Sequence, residues 1–257
     1  MRSIVINIKP RIVSSAVFFF VFCALIQSPG ATTTHGPFPK AIGYQPGVRG
    51  STNAGSNSKE QSTAIKRTEA LLESVRTRSF PELSHVDIRV RTFQSSSDFF
   101  RTRFSIDRYL SFRKMRYYIE VNPRVFEAKA PDDGVRAILA HELEHVLSLS
   151  RRSRVGMLSM IGLVSRDFTA RFERRADLGA VGLGYAPGLI DYREWLYKNI
   201  PAAAVAEKQR DYFSPRELMA MEMILKSKPA MLQSWMKKVP LNLTDVNNSA
   251  VSSGKRR

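Results

Sequence analysis

The 257 residues, 43% hydrophobic and 25% charged, are ordinary for a globular chain and enough for one sizeable domain with tails. The net charge of +17 is not ordinary: beyond a solvated basic surface, it points to anionic partners such as membrane lipid, envelope polymer or nucleic acid. No zinc-knuckle, RNA-binding or helix-turn-helix signature is present, so nucleic acid is not expected, and a single cysteine excludes a disulfide framework.

Residues 1–30 have the layout of an export signal. Arg2, Lys9 and Arg11 form a basic start, and an apolar run follows from Ile12 through Phe18, Phe19 and Phe20 to Ile26. Ser28-Pro29-Gly30 then supplies the small residues of a cleavage site. The run is about 15 residues, short of the roughly 20 that cross a bilayer as a helix. Cleavage near Gly30 or Ala31 is therefore expected, with an uncleaved N-terminal anchor as the alternative. Either way the protein is expected to be exported, periplasmic or extracellular, with contact to an anionic membrane or envelope surface. Cys23 lies inside the run, behind a Phe22 too bulky for the usual lipoprotein signal. The mature chain would lack cysteine, so any metal site must use His and carboxylate. Losing three basic and no acidic residues takes the charge from +17 to +14.

Residues 31–62, rich in Gly, Ser, Thr, Asn and Pro, cannot offset their ordering entropy by burial and read as a flexible linker. Residues 63–241 read as the folded domain. Ile65, Leu71, Leu72 and Val75 sit at helical spacing. Val86, Ile88 and Val90 alternate with charged residues, the pattern of a half-buried strand. Between residues 99 and 116, arginines and Lys114 interleave with Phe99, Phe100, Phe104, Tyr109 and Phe112, which reads as a solvated basic face over core aromatics or as a contact for an anionic surface. Tyr117 to Asn122 is a second strand. From Asp132 onward the pattern is helical. Asp132 or Asp133 can cap a first helix carrying Val135, Ile138, Leu139, Leu143, Val146 and Leu147, and a second runs from about Ser165 to Val181 and ends at Gly182 and Gly184. Ser214-Pro215-Arg216-Glu217 opens another with a capping box. Residues 242–257 are polar and read as a disordered tail.

The chemistry lies in His141-Glu142-Leu143-Glu144-His145. Two histidines four apart share one helix face and can grip one Zn²⁺, while Glu142 points toward water at the metal and can take its proton. A catalytic zinc needs a third ligand, and Glu173 on the next helix is the best candidate. Asp177, one turn further, is placed to accept the second ring N–H of a ligand histidine.

Ala137 to His145, followed by Glu173-Arg174-Arg175-Ala176-Asp177 and Gly184-Tyr185-Ala186-Pro187, resembles the HtpX, Oma and CaaX-prenyl-protease family of zinc metalloendopeptidases, which belong to the gluzincins. The likeness covers about residues 115 to 225. It implies His141, His145 and Glu173 as ligands of one zinc per chain, Glu142 as the catalytic base, Asp177 as support behind a ligand, and a peptide or protein substrate. The gap from His145 to Glu173 is shorter than the family's, without its membrane-embedded insertion. Where the family carries His-Pro and an Arg, this chain has Ser214-Pro215 and Arg216. The asparagine- and alanine-containing edge strand that precedes the family's active site is not recognisable. The expected fold is α+β: a mostly helical, zincin-like metallopeptidase domain with a small β-sheet, whose edge strand at Tyr117 to Asn122 flanks the zinc cleft. The alternatives are a catalytically inactive, peptidase-like basic protein that binds envelope surfaces or partner proteins, and a gluzincin of the ImmA type.

Overall fold

Period-two patterning builds the strands. In the computed structural model, which describes residues 53–154, 156, 157 and 165–252, Ile88 and Val90 lie on β1 (Asp87–Thr92). A second strand, β2 (Phe100–Phe104), forms inside the basic-aromatic stretch, and β3 (Arg116–Val121) follows. The sheet order is β1-β3-β2, with β1 parallel and β2 antiparallel to β3. The expectation that Tyr117 to Asn122 forms the edge is therefore corrected. That strand is central, as its buried Tyr117, Ile119 and Val121 suit, and β2, with Arg101 and Arg103 on its outer side, is an edge. One face of the sheet packs on helices; the other presents Arg89, Arg91, Arg101, Arg103, Arg116 and Tyr118 over the buried Glu120.

The first described helix, α1 (Asn53–Ser79), begins inside the expected linker. It buries Ala64, Thr68, Leu72 and Val75, spaced four, four and three apart, so its stripe includes Ala64 where Ile65 was expected. Short helices α2 (Ile106–Leu110) and α3 (Arg124–Glu127) flank β3 in sequence. The long α4 (Asp132–Ser150) starts behind Pro131, without the expected aspartate cap. Asp132 instead pairs with Arg67 at 2.5 Å and Asp133 with Arg136 at 2.9 Å, although both still favour the helix N-terminus electrostatically. Helix α5 (Arg166–Gly182) is capped by Ser165, whose Oγ accepts the Phe168 N–H at 3.1 Å, and Gly184 follows it at φ 87°, a conformation open to glycine at little cost.

Helices α6 (Ala186–Asn199), α7 (Ala202–Asp211), α8 (Pro215–Ser227), α9 (Met231–Lys237) and α10 (Leu243–Ser252) complete the domain. The capping box at Ser214 and Glu217 is present. The expected disordered tail is corrected over its described part: Asn242 Oδ1 accepts the Asp245 N–H at 2.8 Å, and Val246 is fully buried among the core residues. No described helix is long and apolar enough to cross a membrane. The expected export signal at 1–30, Cys23, residues 31–52 and the tail from 253 onward lie outside the described residues.

Helix α4 is the axis of the core, buried on nearly every side, and α6 crosses it closely. A Cβ at Gly188 would stand 2.4 Å from the Asp133 carbonyl oxygen and 2.8 Å from the Ala137 Cβ. Backbone cannot swing aside, so Gly188→Ala should lower stability by about 1–3 kcal/mol through overpacking. Thermal unfolding followed by circular dichroism reads the loss, and an unchanged midpoint would mean that α6 does not sit this tightly on α4.

Candidate metal centre

The apolar residues of α4 fix its rotation, and that rotation aims His141 and His145 at α5. His145 faces Glu173 while His141 faces Asp177, so the order of partners is reversed and the two helices run antiparallel, as their short connection suggests. The His145 ring stacks on Phe172 with centroids 4.6 Å apart. His141 Nε2 and His145 Nε2 lie 3.0 Å apart, and Glu173 Oε2 is 3.1 Å from the second and 3.3 Å from the first. Three donor atoms so placed match the edges of a tetrahedron, about 3.3 Å, around a metal bonded at roughly 2.0–2.1 Å.

The surroundings fit a cation. Asp177 Oδ1 lies 2.7 Å from His141 Nδ1, so in a neutral ring the proton sits on Nδ1 and the Nε2 lone pair is free for a metal beside Glu173 and His145. Burial alone would depress the charged form of His141, but the Asp177 carboxylate outweighs it and raises the group to about 10. Burial pushes Asp177 up, yet Arg193, His141 and the Phe213 N–H hold its carboxyl below the usual range. Glu173 is likewise held down, against burial, by the two histidines. Three buried carboxylates, Glu142, Glu173 and Asp177, surround the two histidines, and Arg193 pairs with Asp177 alone, so a cation at the histidines would face Glu142 and Glu173. The group His141, His145 and Glu173 can therefore hold a metal ion, and all three are buried.

Every expected site residue comes together here. Glu142 is buried beside the cluster; burial raises its pKa, opposed by the two histidines and by Thr102, whose Oγ1 donates to Glu142 Oε2 at 2.7 Å. Glu173 and Asp177 are not solvated partners of neighbouring arginines: Arg174 turns away to Glu217 at 2.8 Å. Ser214 is spent on its capping box, and Arg216 is exposed, so neither stands in for the family's His and Arg. His85 is exposed just before β1.

Four participants escaped the sequence reading. Thr102 projects from β2; the alternation of Phe100, Thr102 and Phe104 with Arg101 and Arg103 was the signal for that strand. Arg193 donates to Asp177 Oδ1 at 3.0 Å from α6, a pairing with no local signature. Tyr212 places its half-buried ring 5.8 Å from His141. Lys208, paired with Asp98 at 2.5 Å, joins Tyr212, Tyr192, Leu196, Phe99 and Phe100 around a cavity of about 30 Å³ that opens onto His141 and Glu142. Comparison with protein-family models, curated proteins and solved structures finds no match to this chain.

Asp177 orients His141 without belonging to the group that could hold a metal, so Asp177→Asn should weaken divalent-metal affinity by about 10–100-fold in chelator competition on the folded protein. Undiminished affinity would mean that His141 holds its orientation unaided.

Proposed function

We propose that this chain is a zinc metalloendopeptidase of the HtpX, Oma and CaaX-prenyl-protease type, with a zincin-like domain that hydrolyses peptide bonds of exported or envelope proteins. The observation that carries the reading is the pairing of the His141, His145 and Glu173 cluster with a buried carboxylate, Glu142, one residue from a ligand. Among transition metals, two imidazoles and a carboxylate in tetrahedral array suit zinc. Zinc held there would supply Lewis acidity, polarising an amide carbonyl and making water nucleophilic near neutral pH.

The remaining chemistry belongs to the protein. Glu142 accepts a proton from the attacking water as the new C–O bond forms, then delivers it to the amine nitrogen as the C–N bond breaks. Thr102 holds one Glu142 oxygen by its 2.7 Å bond, leaving the other for that transfer. The substrate lies extended along β2. Asn122 N donates to Phe99 O and Ser105 N to Arg116 O, so odd-numbered residues of this strand bond to β3. The main-chain groups of Phe100, Thr102 and Phe104 thus point to the free edge, where an added strand can pair with them. Tyr212, a neutral phenol lining the same cavity, is the donor we assign to the oxyanion.

Glu142→Gln should cut casein hydrolysis by about 10²–10⁴-fold with one zinc per chain retained, since Glu142 is the base and not a ligand. Tyr212→Phe should lose about 10²–10³ in kcat with zinc retained. Full activity in the Glu142 variant excludes this mechanism. Zinc without hydrolysis in the wild type would favour a non-catalytic, surface-binding protein.

A further inference from the structure

The connection between β2 and β3 has no place in this chemistry. It carries α2 and a turn whose tip presents Leu110, 68% exposed, and Phe112, 81% exposed. Single exposed apolar residues are common on proteins, but this pair is held out by structure. Phe112 sits at φ 56°, a left-handed conformation that a bulky residue adopts at a cost of about 1–3 kcal/mol. The turn is clamped against it. Arg154, beyond the end of α4, donates to the carbonyl of Tyr109 and to those of Arg108 at 3.3 Å and Arg113 at 2.6 Å, while the Tyr109 hydroxyl donates to Arg154 O at 2.9 Å. The apolar tip is therefore a rigid projection.

Around it basic side chains outnumber acidic ones. Residues 100–116 contain six basic side chains and one acidic, Asp107. Arg113 and Lys114 are exposed beside Phe112; Arg103 and Arg116, at the same end of the outer sheet face, are paired with Glu120 at 3.2 Å and Asp87 at 2.7 Å, so the exposed cations at the tip are Arg113 and Lys114. An apolar tip flanked by cations matches a bilayer with anionic headgroups: the rings and aliphatic stems enter the acyl boundary while guanidinium and ammonium heads remain among the phosphates. Nucleic acid or a soluble polyanion would use the arginines but leave Leu110 and Phe112 in water.

We propose that residues 108–116, with the adjoining arginine-bearing sheet face, dock this protein on anionic lipid membranes. This is independent of the catalytic reading. The test uses the full chain carrying Phe112→Trp and vesicles of phosphatidylcholine, with or without phosphatidylglycerol, containing brominated lipid. Trp195 and Trp235, the natural tryptophans, are buried, so quenching beyond that of the wild type reports position 112 alone, whatever the N-terminus does. The expected result is added quenching on phosphatidylglycerol vesicles only, lost near 1 M salt, where the Debye length falls to about 3 Å. Arg113→Gln and Lys114→Gln should each lower partitioning about fivefold. A bound protein unquenched at position 112, equal quenching on pure phosphatidylcholine, or displacement from vesicles by single-stranded RNA would each overturn the proposal.

Discussion

The buried carboxylate of Asp177 is the joint on which the site and its framework depend. An ionised group in the core is tolerable only if fully paired, and Asp177 has three partners on three different segments. His141 comes from α4, Arg193 from α6, and the Phe213 N–H, bound at 3.0 Å, from the connection between α7 and α8. Losing one partner of such a set leaves an uncompensated charge, at roughly 3–5 kcal/mol. The orientation of His141 is thereby coupled to the docking of α4, α6 and the connection between α7 and α8 on α5. Arg174 repeats the arrangement nearby, binding Glu217 and the carbonyls of Gln209 and Arg210. Both residues belong to α5, which also carries Glu173, so one helix brings the carboxylate of the His-His-Glu group to one side and the anchor for the C-terminal helices to the other.

The sheet provides what helices cannot. The cluster needs rigid spacing, which α4 and α5 give through turns of backbone locked by packing. An extended peptide pairs with exposed main-chain groups, and the free edge of a strand offers them in register. Thr102 connects these requirements: its backbone belongs to the edge and its side chain binds Glu142, so a shift of the strand would move the hydrogen bond to the carboxylate.

What could be read from sequence was local. The spacing of His141 and His145, the offset from Glu173 to Asp177, the capping box at Ser214 and the glycine ending α5 all depend on neighbours within a turn or two, and all are found. The misread elements depend on distant pairing. Arg101 and Arg103 made β2 look like a solvated basic face, because the Glu120 beneath them lies on another strand. Asp132 looked like a cap, but its partner is Arg67, on α1. In α10 one buried valine, Val246, anchors a polar stretch, too little apolar signal to mark a helix. Arg193 and Tyr212 reach the site from segments whose local sequence announces nothing.

The open side of β2 also bears on how copies of this molecule behave in company. An unpaired strand is a template for another of its kind, and such edges commonly seed aggregation. On this one, Arg101 and Arg103 flank Thr102 on the outer sheet face. Two molecules meeting edge to edge would crowd four guanidinium groups onto one continuous surface, with only the Glu120 of each sheet, already shared by three arginines, to offset them. A segment without such charges meets no equivalent repulsion. The strand is thus biased toward foreign chains and against its own, and high protein concentration alone should not drive it into fibres.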